Sequence, residues 1–171
     1  MLYRSILLLI VMITASVWAQ KAEPLRDALF HIERSKNANI VQYDAQLDSS
    51  GNLLSKEPIS GYWIRHAEQG QVEELSWAQK KFAYGFKVKL KPEENTAKME
   101  LAAKLGRSIT VMQSDNDYKA MTDIEGVASY LDRIFIHSSG KGLSTKVDYI
   151  ELFGQSVSDQ TEQYERFIPN K

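Results

Sequence analysis

The chain has 171 residues, no cysteine and three histidines, and its 21 basic residues nearly balance its 22 acidic ones. This length suits one domain of ordinary size, and a hydrophobic fraction of 43% is typical of a folded globular chain. The lack of cysteine excludes disulfides, thiolate metal sites and thiol catalysis, and the balanced charge gives no indication of a nucleic-acid groove.

The chain begins with an apolar run, residues 6–17, that follows a basic residue, Arg4. A positive start, a short apolar run and a small residue before a cleavage position are typical of a secretory signal peptide, and residues 17–19 (VWA) supply that position. The alternative is an N-terminal membrane anchor, but the run is shorter than the ~20 residues that a span needs. We therefore expect residues 1–19 to be a signal peptide and the protein to be exported, periplasmic or secreted, with no stable membrane span after cleavage.

After a polar lead-in at residues 20–27, short apolar segments alternate with turn residues up to residue 154, and residues 155–171 form a polar tail. In several segments apolar and polar residues alternate, as in residues 86–90 (FKVKL), which is typical of a half-buried antiparallel strand. The spacing predicts one mainly β domain over residues 28–154, an antiparallel β-barrel or β-sandwich of about eight to nine strands. The predicted strands are residues 29–34, 40–47, 59–66, 86–90, 97–103, 108–113, 118–124, 127–138 and 147–153.

One short helix is predicted after the third strand, between Ser76 and Gly85. Ser76 can cap its N-terminus, with Gln79 as the return partner of a capping box, and Gly85 stands where a helix should end. Aromatic residues fall on two faces of this helix. We therefore expect the helix to be held against the sheet, where it could plug or roof an opening.

Two pairs of side chains are candidates for chemistry. Trp63 and Arg65 share one face of the third strand, and an aromatic ring beside an inward arginine could bind a carboxylate, a phosphate or a sugar. The alternative is a core tryptophan with an arginine at the rim. His31 and Glu33 share a face of the first strand and could form an acid–base pair, but an exposed polar edge is the simpler interpretation. With three histidines and no H-x-x-x-H spacing, no metal site and no cofactor are expected.

Four segments resemble the bacterial and protist family catalogued as domain of unknown function 4833. They are residues 30–44 (FHIERSKNANIVQYD), 62–65 (YWIR), 74–85 (ELSWAQKKFAYG) and 149–154 (YIELFG). The resemblance implies a single domain and supplies no activity or catalytic residue. Because these segments are rich in polar and aromatic residues, we expect a ligand site where the helix meets the first three strands. The residues expected there are Glu33, Arg34, Tyr62, Trp63, Arg65, Trp77, Lys81 and Tyr84.

The leading functional hypothesis is an exported protein that binds a small, anionic or amphipathic molecule. The alternative is an envelope protein–protein interaction or structural module, which would use the polar tail or an exposed strand edge. A third hypothesis is an enzyme of unknown class, built from Glu33 and His31 or His137 with Arg34. None of these hypotheses involves a nucleic acid.

Overall fold

The computed structural model describes residues 25–102, 105–140 and 145–169, so the predicted signal peptide lies outside the described residues. The described chain contains eleven strands and one α-helix. No helix in this part of the chain is long and apolar enough to cross a membrane. The strands are β1 Leu25–Arg34, β2 Asn37–Leu47, β3 Ile59–Arg65, β4 Gln71–Glu74, β5 Phe86–Lys91, β6 Thr96–Leu101, β7 Ile109–Ser114, β8 Asp117–Ile124, β9 Val127–Ser139, β10 Lys146–Ser156 and β11 Glu162–Phe167; the helix is α1, Trp77–Phe82.

The strands form one sheet that curls into a half-barrel, and strands make up 63% of the structure. Along the sheet the order is β4-β3-β2-β1-β9-β8-β7-β6-β5, and β10 and β11 extend from β9. The long strand β9 pairs with β8 through its first half and with β1 through its second half, while β10 runs along its other edge. Within the described sheet, β1–β9 is the parallel pair and the other pairs are antiparallel. The prediction of a mainly β, antiparallel fold is confirmed.

The hydrophobic core fills the inner face of this curled sheet. Alternation of buried and partly exposed residues along the strands places every second side chain inside, as expected for a sheet with one covered face. The largest fully buried side chains include two tyrosines, Tyr43 and Tyr118. Members of this core from the central strands are Ile32, Val41, Ile134, Ile136, Ile150 and Leu152.

Two strands were not predicted from the sequence. The first is β4, whose four residues are all exposed and which pairs with β3, so α1 follows the fourth strand rather than the third. The second is β11, which lies in the predicted polar tail and pairs with β10. Tyr164 of β11 packs against Phe153, with ring centroids 5.2 Å apart, and Phe167 packs against the core. Residues 162–167 therefore belong to the sheet.

The short helix α1 begins as predicted. The main-chain N–H of Gln79 donates to Ser76 Oγ (3.4 Å), and the main-chain N–H of Ser76 donates to Gln79 Oε1 (2.8 Å), which completes the capping box. After the helix, the chain turns at Gly85, where a Cβ atom would overlap the carbonyl oxygen of Lys80. The carbonyl oxygen of Gly85 then accepts a hydrogen bond of 2.7 Å from the N–H of Ala102. Glycine at this position lets the chain pass directly from α1 into β5.

Candidate functional site

The open side of the half-barrel lies where the two ends of the sheet approach each other. Strand β4 pairs with residues 62–65 of β3. Residues 59–61 of β3 therefore have no partner in β4 along this edge. The start of β5 lies close to this segment, because a Cβ atom on Gly61 would be 3.3 Å from the ring of Phe86. Between them is a cleft of about 710 Å³, which we call the edge cleft. It is bounded by residues 59–61 of β3 and by Gly85 and Phe86.

The edge cleft has both apolar and polar walls. Ile59, Leu75 and Phe86 supply apolar surface, and Glu74 and Lys80 lie at its rim. These two charged side chains are 3.8 Å apart but largely exposed, so their attraction is weak. Such a mixture is typical of a site for a small molecule with a polar end.

Near the cleft, two of the predicted site residues contact the ring of a third, Tyr84. The guanidinium carbon of Arg34 lies 4.7 Å from the ring centroid of Tyr84. Trp63 meets the same ring edge-on, with centroids 5.0 Å apart. Tyr43 donates a hydrogen bond of 2.7 Å from its hydroxyl to the main-chain oxygen of Tyr84. We call Arg34, Tyr43, Trp63 and Tyr84 the Tyr84 cluster.

Two N–H donors of the Tyr84 cluster are buried without an acceptor. Arg34 Nε and Trp63 Nε1 find no hydrogen-bond partner among the described residues. The indole is only 8% exposed, so its N–H is shielded from bulk solvent. In the neighbouring cleft the hydroxyl of Ser60 is also buried and lacks a partner within the described chain. Buried polar groups are nearly always hydrogen-bonded in folded proteins, so this concentration of unsatisfied groups indicates a place for an acceptor.

Arg34 is the only charged member of the Tyr84 cluster. Burial raises the pKa of Tyr84 above its ordinary value, and the charge of Arg34 opposes this effect only in part. Burial likewise raises the pKa of Tyr43, so both phenols are neutral at physiological pH. Within the described residues, no carboxylate lies at ion-pair distance from Arg34. The cluster therefore carries a positive charge that the described chain does not neutralise.

Tyr62 lies beside this cluster, on the opposite face of β3 from Trp63. Its hydroxyl donates a hydrogen bond of 2.5 Å to Asp44 Oδ2, and Gln42 Nε2 donates to Asp44 Oδ1 at 3.1 Å. Asp44 is buried, and its carboxylate is held by these two donors. Tyr62 also lines the edge cleft, so this hydrogen-bonded group fixes one wall of the cleft.

Four of the predicted site residues lie elsewhere. Arg65 is on the surface, where it pairs with Glu73 across the β3–β4 hairpin and with Glu68 at 3.4 Å. Trp77 and Lys81 project from α1, with the Lys81 ammonium group 4.8 Å from the Trp77 ring centroid. The predicted site is thus divided into three parts. Arg34, Trp63 and Tyr84 form the inner part, and Tyr62 forms a wall of the cleft. The remaining four residues lie on the outer surface.

Glu33, the fourth of these residues, lies on the outer face of β1. Its carboxylate accepts hydrogen bonds from Arg133 (3.0 Å) and from His31 (3.1 Å). Burial alone would raise the pKa of Glu33, but these two hydrogen bonds outweigh it and hold the pKa below its ordinary value. A carboxylate in this state is a weak general base, so the geometry does not favour the acid–base role considered for His31 and Glu33. Among the described residues, no group of three or more metal-ligating side chains is present.

Sequence reasoning missed Tyr43, Asp44 and Ser60 as parts of this region. Tyr43 shares a buried strand face with Val41 and Ala45, but nothing in the sequence shows that its hydroxyl reaches the chain after α1. Asp44 carried a signal, since an acidic residue inside the otherwise apolar and amide-rich segment 40–47 needs a partner when it is buried.

The family model described as Domain of unknown function (DUF4833) matches residues 30–166, which include the whole Tyr84 cluster, the edge cleft and most of β11. No curated protein and no solved structure gives a significant match to the chain.

Proposed function

We propose that this chain, which belongs to the family described as Domain of unknown function (DUF4833), is an exported protein that binds a small molecule with an acidic group and an apolar body. The observation that carries the proposal is the pair of buried donors, Arg34 Nε and Trp63 Nε1, that contact the same ring and have no acceptor in the described chain. A carboxylate or phosphate oxygen is the preferred acceptor of a guanidinium, and an indole N–H can donate to the same kind of oxygen. Export is inferred from the signal-peptide pattern of residues 1–19 alone.

The edge cleft supplies room for the rest of the molecule. Its volume of about 710 Å³ is within the range of small-molecule sites in proteins. Arg34 is not among the residues that line the cleft. Phe86 does line it, and the Phe86 ring packs on Tyr43 of the Tyr84 cluster, with centroids 5.7 Å apart. A bound acid would therefore reach Arg34 when the segment from α1 to β5 moves away from β3. Helix α1 itself buries none of its six residues, so the movement is opposed mainly by the packing of Tyr84 and Phe86 and by the hydrogen bond from Tyr43.

A thermal-shift screen of the full chain tests this function. The probes are fatty acids and sugar phosphates, each compared with the neutral alcohol or sugar of the same carbon skeleton. A ligand present at a hundredfold excess over its dissociation constant should stabilise the fold by roughly 2.7 kcal/mol, which is a visible increase in melting temperature. We expect an acidic probe to give this shift and its neutral counterpart to give none.

Two variants assign the shift to the Tyr84 cluster. Arg34→Gln should abolish the shift because it removes the charge, and Trp63→Phe should weaken it because it removes the indole N–H while keeping an aromatic ring. Arg65→Gln is the matched control, since Arg65 is paired on the surface and outside the cluster. The proposal is contradicted by a screen without any shift, by equal shifts with acidic and neutral probes, or by an unchanged shift in Arg34→Gln.

A further inference from the structure

The outer face of β5 and β6 carries lysines in an unfavourable arrangement. Lys89 and Lys98 are exposed and directly opposite each other in the antiparallel pairing of these strands. Like charges in this position destabilise a sheet. Lys87, on the same face, is opposite Glu100. The chain as a whole has a net charge of −1, so this basic surface is a local feature and not a consequence of composition.

The basic surface continues onto α1. A groove of about 450 Å³ between the helix and the start of β5 is lined by Lys80, Lys81 and Lys87, with Glu100 as its one acidic residue. Lys80 has a distant partner in Glu74, 3.8 Å away. For Lys81, Lys87, Lys89 and Lys98, the described part of the chain offers no carboxylate at ion-pair distance. These four ammonium groups have no acidic partner in the described chain and can pair with an external anion.

Beside these lysines, α1 exposes two large aromatic side chains. Trp77 is 70% exposed and Phe82 is 68% exposed, and their rings meet edge-on with centroids 6.0 Å apart. The Lys81 ammonium group lies over both rings, at 4.8 Å and 5.2 Å from their centroids. On the adjacent strand β4, Val72 is 61% exposed. Exposed aromatic side chains beside a basic residue are typical of surfaces that bind at the membrane–water interface.

We propose that this surface, formed by Trp77, Lys81, Phe82, Lys87, Lys89 and Lys98, docks onto an anionic lipid bilayer. The aromatic rings enter the headgroup region, and the lysines pair with lipid phosphates. A soluble polyanion would neutralise the lysines but would leave the two aromatic rings in water, so the lipid surface accounts for both features. The inference goes beyond small-molecule binding and uses none of the residues of the Tyr84 cluster.

Vesicle binding of the full chain tests the proposal. Trp18 is replaced by phenylalanine, which leaves Trp63, buried, and Trp77, exposed, as the two indoles. Binding is measured to vesicles of phosphatidylglycerol with phosphatidylcholine and to vesicles of phosphatidylcholine alone, and brominated lipids report contact with Trp77 by quenching its fluorescence. We expect quenching in the anionic vesicles, little in the neutral ones, and loss of binding at high salt.

The substitution Lys89→Glu separates this role from effects on folding. It replaces the like-charged pair with Lys98 by an attractive pair, so the melting temperature should rise while binding to anionic vesicles falls about tenfold. Lys146→Glu makes the same change of charge on β10 and should leave binding unchanged. The double variant Trp77→Ala, Phe82→Ala should also reduce binding, and any contribution of residues 1–24 is common to all variants.

Three results would overturn the proposal. The first is equal binding of the Lys89→Glu variant and the parent chain to anionic vesicles. The second is tight binding to a soluble polyanion such as polyphosphate without quenching of Trp77 by brominated lipids, which would point to a polymeric anion. The third is protection of Trp77 from acrylamide quenching in the lipid-free chain, which would show that the chain itself covers this surface.

Discussion

The hydroxyl of Tyr43 donates a hydrogen bond of 2.7 Å to the main-chain carbonyl oxygen of Tyr84, and both residues are buried. The bond joins the middle of β2 to the turn between α1 and β5, across the open side of the half-barrel. Helix α1 has no buried residue of its own, so this bond and the ring contacts of Tyr84 and Phe86 hold the segment in place.

Replacement of Tyr43 by phenylalanine should therefore lower the free energy of unfolding by about 1–2 kcal/mol, because the carbonyl oxygen of Tyr84 is left buried without its donor. Urea denaturation measures the loss, and hydrogen exchange should become faster at the amides of residues 84–86. Tyr164→Phe is the control, since it removes a hydroxyl bound to Glu151 on the surface and should cost less than about 0.5 kcal/mol. Equal costs for the two variants would show that the Tyr43 bond has no special role.

A second prediction concerns two glycines on either side of the edge cleft. Gly85→Ala should destabilise the fold by about 3 kcal/mol or more, because the new Cβ atom would overlap the main chain at Lys80 and α1 would have to shift. Gly61→Ala should cost less, since its Cβ atom would be 3.1 Å from a side-chain atom of Tyr43, which can adjust. Thermal and chemical denaturation of both variants test this order. The reverse order would mean that the helix end tolerates movement better than the ring of Tyr43 does.

Features of this fold that depend on neighbouring residues could be predicted from the sequence. Contacts between segments that are far apart in the chain could not. The capping box of Ser76 and Gln79 depends on four neighbouring residues, and it is present as expected. The strand β4 has no buried residue and hence no alternation of apolar and polar positions to identify it. The parallel pairing of residues 31–34 with 133–136 joins segments that are far apart in the chain, and no local pattern specifies it.

The candidate site shows the same limit. Arg34 and Arg65 both lie at or near the end of a predicted strand and look equivalent in the sequence. Arg65 belongs to the β3–β4 hairpin, where Glu73 comes opposite and pairs with it, and the unpredicted strand β4 creates that pairing. Arg34 is placed against Tyr84 only because the segment after α1 folds back over β2 and β3. The sequence suggests an inward arginine at Arg65, but Arg65 lies at the surface, as in the alternative of a core tryptophan with an arginine at the rim. The arginine beside an aromatic ring of the cluster is Arg34, because tertiary contacts decide its environment.

A third prediction concerns the attachment of β11. Arg107 donates two hydrogen bonds of 2.6 Å to Glu165, and the N–H of Glu125 donates a third at 2.9 Å. The hydrogen bonds from Arg107, in opposition to burial, hold the pKa of Glu165 below its ordinary value of 4.5. The folded state thus binds this proton less well than the unfolded state. The stabilisation is fully present above about pH 4.5 and is lost as the pH falls through the lowered folded value.

Glu165→Gln should accordingly lower the free energy of unfolding by about 2–3 kcal/mol at neutral pH, because Arg107 loses its charged partner. Melting temperatures of the variant and the parent should converge as the pH falls through the lowered pKa of Glu165. Glu162→Gln serves as the control, since this residue of the same strand is exposed. A difference between Glu165→Gln and the parent that stays constant from pH 7 to pH 3 would contradict the assigned role of the carboxylate.

The last prediction separates binding from stability at Arg34. Arg34 is half-buried, and its Nε is buried. With no carboxylate at ion-pair distance in the described chain, its guanidinium loses part of its hydration without gaining a salt bridge, and it gains only a contact with the ring of Tyr84. Arg34→Met, which keeps the length and apolar stem of the side chain, should therefore leave the free energy of unfolding unchanged or raise it by up to about 1 kcal/mol. Arg107→Met should instead cost about 2–3 kcal/mol, since it leaves Glu165 unpaired. If Arg34 is retained for a ligand, Arg34→Met will lose the thermal shift with acidic probes while keeping the stability of the unliganded protein. A loss of stability as large as that of Arg107→Met would show that Arg34 is a structural residue, and the proposed binding function would lose its principal support.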